Sequence, residues 1–218
     1  MNTGLNDFEI DLHFPSGVYR VKKPEFLPTL RPVFREYVEE VSRKNKINEL
    51  YPGVMTNFIS EDSRVAPFKQ YIDHVSWEIL DSQGYDMSTF ITDSSEMWGQ
   101  HHQYSSSMEQ HIHGLGTQLC GFYFIDTPSD SSKAFFHDPR SAKVYAGLPE
   151  KYSETLTLAH NMVYYSPEPG DLIITNSWLA HSFTRNASKN NFNFIHINIR
   201  VLNSPLQTCP TNSGPIIV

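Results

Sequence analysis

The chain has 218 residues, 39% hydrophobic and 13% aromatic, which excludes a disordered polypeptide and allows one domain to bury a sizeable core. A formal charge of −7, with no run of Lys or Arg, argues against nucleic acid as a partner. No apolar stretch nears the roughly 18–20 residues of a membrane helix. The first ten residues are polar and acidic rather than signal-like. Two cysteines, Cys120 and Cys209, are too few for a disulfide framework, so a reducing, cytoplasmic setting is expected.

Strict alternation in Phe8–Phe14 predicts a first strand with one buried face. Glu25 to about Lys46 reads as a helix whose stripe is Leu27, Leu30, Phe34, Tyr37, Val38 and Val41, with Pro28 and Pro32 confined to its start or a bend. Tyr51-Pro52-Gly53 marks a turn. Pro67–Leu80 reads as a second helix with Phe68, Tyr71, Ile72, Val75 and Ile79 on one face.

From Asp86 onward the pattern becomes short β runs: Thr89–Ile91, Glu96–Gln103, Gln118–Asp126, Lys133–His137, Thr155–Leu158, Met162–Tyr165, Asp171–Thr175 and Asn191–Val201. Clusters of Gly, Pro, Asn, Asp and Ser separate them, and such spacing predicts a sandwich or barrel, a jelly roll among the options. The expected organisation is a single domain over residues 1–218. An N-terminal strand and two supporting helices (1–85) brace a β core (86–202), and a C-terminal strap follows (203–218).

The most informative residues are histidines. Of the ten, all but His13 and His74 follow Gln100. His111 and His113 form a His-x-His pair, which on an extended backbone puts two imidazoles on one side. Gly114 and Gly116 follow, where a ligand can approach the backbone closely. His181 ends a run that begins with the turn Pro169-Gly170-Asp171 and passes through Trp178-Leu179-Ala180. Three imidazoles from two separate segments could bind one face of a metal and leave the opposite face open, as a catalytic metal requires. His101, His102 and His137 are further residues that could line the same cavity or support a ligand. Trp98 and Trp178 are expected in the core, and Cys120 as a buried thiol.

The ordered set Glu96-Met97-Trp98, His111-Ile112-His113, Cys120-Gly121-Phe122-Tyr123-Phe124, Asp138-Pro139-Arg140, Pro169-Gly170-Asp171, Trp178-Leu179-Ala180-His181 and Ile197-Asn198-Ile199 resembles the iron(II)- and 2-oxoglutarate-dependent oxygenases. Within them it resembles a group from marine bacteria and phages that carries His-x-His in place of the usual His-x-Asp/Glu. The resemblance spans about residues 96–200. It implies a double-stranded β-helix, a mainly β fold braced here by the two N-terminal helices. It also implies Fe(II) held by His111, His113 and His181, with 2-oxoglutarate and O₂ as co-substrates.

Two questions stay open in the sequence. The third ligand is either His113 or a carboxylate such as Asp138 or Glu109. The Arg that the resemblance places about eleven residues after the distal histidine falls on Phe192, which cannot hold a carboxylate. Strand alternation puts Phe192, Phe194, His196, Asn198 and Arg200 on one face, so Arg200 is the candidate anchor for 2-oxoglutarate. His196, Asn198 and Tyr123 are candidate neighbours, and Arg140, Arg185 and Lys189 are rivals. A three-histidine centre without an Arg anchor also suits a cupin-type dioxygenase that binds its substrate directly. A non-enzymatic β-sandwich with incidental histidines is the third alternative. The sequence names no substrate and no oligomeric state.

Overall fold

The computed structural model describes residues 9–205 apart from 10, 47, 49, 51, 146 and 153–155. Its strands are β1 (Val18–Lys22), β2 (Gly53–Phe58), β3 (Phe90–His102), β4 (Met108–His111), β5 (Thr117–Asp126), β6 (Ala134–His137), β7 (Met162–Tyr165), β8 (Asp171–Asn176), β9 (His181–Phe183) and β10 (Phe192–Asn203). The helices are α1 (Leu27–Lys44), α2 (Ala66–Ser82) and α3 (Ser141–Tyr145). All strand pairs are antiparallel. The major sheet runs β1-β8-β5-β10-β3-β2 and the minor sheet β4-β9-β6-β7. The two sheets face each other as a double-stranded β-helix.

The central strands bury both faces, which is why β5 reads as an unbroken apolar run. One face of the major sheet presents Leu119, Tyr123, Ile125, Ile195, Ile197 and Ile199 to Leu30, Phe34, Phe68 and Ile72 of the helices. The other presents Cys120, Phe122, Phe124, Phe192 and Phe194 to Ala134, Phe136 and Phe183 of the minor sheet. Burial pushes the Cys120 thiol up, so it stays protonated packing material.

Two contacts fix the helices. Arg31 on α1 donates to Asp126 Oδ1 (3.0 Å) and to the Ile125 carbonyl (2.9 Å) at the end of β5. On α2, Asp73 Oδ1 accepts from the Ser94 amide (2.8 Å) and hydroxyl (2.6 Å), and Lys69 bridges Asp73 and Asp93. Gly99 lets α1 approach β3 closely, because a Cβ there would lie 2.8 Å from Phe34 Cε2.

Several expectations are corrected. The first strand is Val18–Lys22, not Phe8–Phe14; residues 11–14 are irregular, and Phe8 and Ile10 lie outside the described residues. Thr89–Ile91 and Glu96–Gln103 are one strand, β3. Residues 156–158 form loop rather than strand, and Thr155 is not described. The proposed strap falls mostly in 206–218, outside the described residues. Trp178 is 46% exposed rather than core. No helix among the described residues is long and apolar enough to cross a membrane.

Candidate metal centre

The histidine site is built where the two sheets part. His111 ends β4, and its register partner is His181, the first residue of β9. His113 lies two residues on, tied down by its amide bond to the Ser177 carbonyl (2.9 Å). A tight turn then reverses the chain into β5. Leu115 (φ 54°) and Gly116 (φ 89°) sit at its centre, and Thr117 N donates to the Gly114 carbonyl (3.2 Å). Two central residues with positive φ are the type I′ arrangement, in which Gly116 avoids a steric cost that Leu115 must bear. The loop thereby delivers His113 beside His111 and His181.

One ligating nitrogen from each of the three histidines lies within 4.8 Å of the other two. His113 Nε2 is 3.3 Å from His181 Nε2, and the two rings stack at 5.2 Å with 7° between planes. Cis ligands at about 2.1 Å from one metal stand about 3 Å apart, so this spacing fits. His111 Nδ1 donates to the Glu109 carbonyl (2.8 Å) and His181 Nδ1 to the Leu179 carbonyl (3.0 Å). A carbonyl can only accept, so both Nδ1 atoms carry the proton and both Nε2 atoms keep their lone pairs.

Burial, with His111 nearby, lowers His113 to about 4, and burial above all lowers His181 to about 3. Both are neutral at pH 7, the form that ligates. No carboxylate joins the group among the described residues. Glu109 offers only its carbonyl to His111. Asp138 is engaged by Arg140 and Lys143.

A cavity of about 540 Å³ adjoins the triad, lined by His111, His113 and His196 and by the inward row of β3: Trp98, Gln100 and His102. Gly53, Met55 and the segment from Ser106 to Gln110, with Glu109 in it, complete its wall. No Arg or Lys lines it. His196 is buried, stacks on Trp98 at 4.3 Å and lies 4.8 Å from His113. Neither of its ring nitrogens has a hydrogen-bond partner among the described residues, nor does His102 Nδ1. Burial holds His196 well below its usual range and His102 at about 4. Beneath lies an aromatic floor of Phe122, Phe124, Phe183, Phe192 and Phe194.

The structure brings some expected residues here and leaves others away. Arg200 lies at the far end of β10, ion-paired to Glu96, which also accepts from Asn198 Nδ2 (2.9 Å). Both line a second, smaller cavity with Ile112, His113, Leu115 and Thr117. Tyr123 is not at the site: its side chain faces the helices, its ring 4.8 Å from Phe68, and its hydroxyl donates to the Lys23 carbonyl (2.8 Å). Arg140 is likewise elsewhere, clamped to Asp138 in a separate depression with Leu12, Phe14 and Met162. Arg185 and Lys189 are exposed. His101 bonds Asn193 and His137 bonds Ser182, so both are structural. Gln100 and Ser106 went unread in the sequence, although the alternation of Trp98, Gln100 and His102 along β3 carries the signal for the first.

Residues 96–194 match the family described as "Putative 2OG-Fe(II) oxygenase". No curated protein matches the chain. Among solved structures, a Pseudomonas putida prolyl-4-hydroxylase is similar at 8% identity, with a TM-score of 0.58 over 85% of this chain and 92% of that one. AviO1 from Streptomyces viridochromogenes aligns at 10% identity and TM-score 0.60, covering 88% and 91%. A Trichoplax adhaerens prolyl hydroxylase, solved with a peptide of hypoxia inducible factor, aligns at 11% and 0.55, covering 85% and 84%. Identities this low speak to the fold alone.

Proposed function

We propose that the chain is a 2OG-Fe(II) oxygenase, the family that residues 96–194 match, and that it hydroxylates its substrate at an iron held by His111, His113 and His181. The observation that carries this is the convergence of three imidazole nitrogens from β4, its following turn and β9. When bound, Fe(II) with 2-oxoglutarate and O₂ supplies the oxidation, which releases succinate and CO₂ and inserts one oxygen atom into a C–H bond.

The chain's own residues bind, orient and exclude water. The carbonyls of Glu109 and Leu179 fix two imidazoles with Nε2 toward the metal position. The phenylalanine floor keeps the inner side of the site dry. Ile112 and Leu115, exposed beside His113, form an apolar lip for the substrate.

Three neutral ligands change the electrostatics. A carboxylate ligand would repel the far carboxylate of 2-oxoglutarate across about 7 Å, worth roughly 2 kcal/mol at an effective dielectric of about 20. A histidine at that position removes this repulsion. That offsets part of what the cavity lacks, since no Arg or Lys lines it and Glu109 does.

The test is anaerobic titration of the metal-free protein with Fe(II) and then with 2-oxoglutarate. The expected results are one iron per chain, a visible charge-transfer band on adding 2-oxoglutarate, and loss of iron binding in His111→Ala and His181→Ala. Undiminished iron affinity in those variants overturns the ligand assignment. Iron binding without the band would leave a centre that takes its substrate directly on the metal.

A further inference from the structure

We propose that His102 on β3, with Gln100 beside it, holds the far carboxylate of the 2-oxo acid co-substrate. This rests on the reading that 2-oxoglutarate binds at the triad.

The 540 Å³ cavity touches both His111 and His113 and continues along β3 past Trp98 and Gln100 to His102. Register gives the level of each residue. His196 pairs with Trp98, Phe194 with Gln100, and Phe192 with His102. Paired residues share a sheet face, so His102 stands directly across from Phe192. Phe192, 0% exposed, is the position where a guanidinium was expected. At this depth the polar group has thus moved one strand sideways, from β10 to β3.

The surroundings leave few alternatives. Phe194, Phe192 and Phe183 ring His102 at 5.3, 6.1 and 6.5 Å. Of the lining side chains that can donate a hydrogen bond, Trp98 and His196 stand at the level of the metal histidines, Gln100 and His102 stand one and two steps further along β3, and Ser106, Ser107 and Gln110 come from β4 and the segment before it. His102 is 3% exposed and lines the cavity, its Cδ2 edge lying toward Gly53. A carboxylate in the cavity can accept a hydrogen bond from the imidazole edge that faces it. The step from the Trp98 level to the His102 level is four residues, about 13 Å of strand. A metal bond, a five-carbon diacid, a hydrogen bond and an imidazole together span that reach.

Arg200 is a poorer anchor. It lies at the opposite end of β10, and its guanidinium is occupied by Glu96. A carboxylate entering there meets the negative charge of Glu96. Its cavity touches His113 alone of the three histidines.

The test compares 2-oxoglutarate with 2-oxopentanoate, which has a methyl in place of the far carboxylate. Both are titrated calorimetrically into Fe(II)-loaded full-length protein without oxygen. A hydrogen-bonded carboxylate predicts a preference for 2-oxoglutarate of roughly 10- to 100-fold in the wild type. His102→Phe should reduce that preference below about threefold while 2-oxopentanoate affinity stays within about twofold, a pattern that misfolding would not give. His102→Gln, which keeps an N–H donor, should retain a preference of at least about fivefold. Arg200→Gln should leave it unchanged.

A preserved preference in His102→Phe, or its loss in Arg200→Gln, overturns the assignment. Equal binding of both acids by the wild type also overturns it while leaving the co-substrate reading intact. Binding of neither acid by iron-loaded wild type overturns both.

Discussion

Lowering the pH from 7.5 to 5.0 should destabilise the metal-free protein by about 6 kcal/mol. The cause is the buried histidines. An unfolded histidine titrates near 6.5, whereas burial lowers His102 and His113 to about 4 and His181 to about 3. Between those values the unfolded chain binds protons that the folded chain refuses. Stability is therefore fully present above about pH 6.5 and is lost as the pH falls toward the folded pKa values. At pH 5 each of the three contributes about 2 kcal/mol of that loss, and His196 acts in the same direction. Carboxylates contribute little in this window, since their unfolded pKa values lie near 4. The assay is urea unfolding at both pH values with chelator present, on the wild type and on His102→Phe. The variant should recover about 2 kcal/mol of the difference. Equal unfolding free energies at pH 7.5 and 5.0 would refute the view that these histidines are held neutral by burial.

Two further outcomes follow from the packing. Gly99→Ala places a Cβ 2.8 Å from Phe34 and 3.0 Å from Thr56 Cγ2, and should cost about 1–3 kcal/mol through overpacking where α1 meets β3, read by denaturant melts. Tyr123→Phe removes the bond to the Lys23 carbonyl and should cost about 1 kcal/mol of stability. It should leave 2-oxoglutarate affinity unchanged, since the ring points at the helices; a lost affinity would place Tyr123 at the site after all.

The helices were legible because each has a polar face that orients its apolar stripe: Leu30, Phe34 and Val38 of α1 are buried as the spacing requires. The long strands β5, β8 and β10 were legible from their apolar runs. β4 and β9, with four and three residues, were missed because Met108-Glu109-Gln110-His111 and His181-Ser182-Phe183 are too short and polar to show a period. They are held by pairing with each other, not by local preference. The histidine spacing survived this, since a His-x-His pair and a distal His keep their meaning whatever the strand lengths.

Tyr123 was placed on the wrong side for a physical reason. β5 is buried on both faces, so no polar row shows which parity points inward. On β10 the row from His196 to Arg200 did show it. The position of His102 opposite Phe192 depends on strand register, which no single segment of sequence carries.

The central claim is that His111, His113 and His181 form one metal face. Crystals grown with Mn(II) in the absence of oxygen test it most directly. The account predicts a single anomalous peak with three Nε2 atoms at about 2.1 Å, the length of a metal–imidazole bond, and open positions toward the cavity of Gln100 and His102. A peak bound by Glu109 or Asp138 in place of His113, or no peak between the three imidazoles, would contradict it.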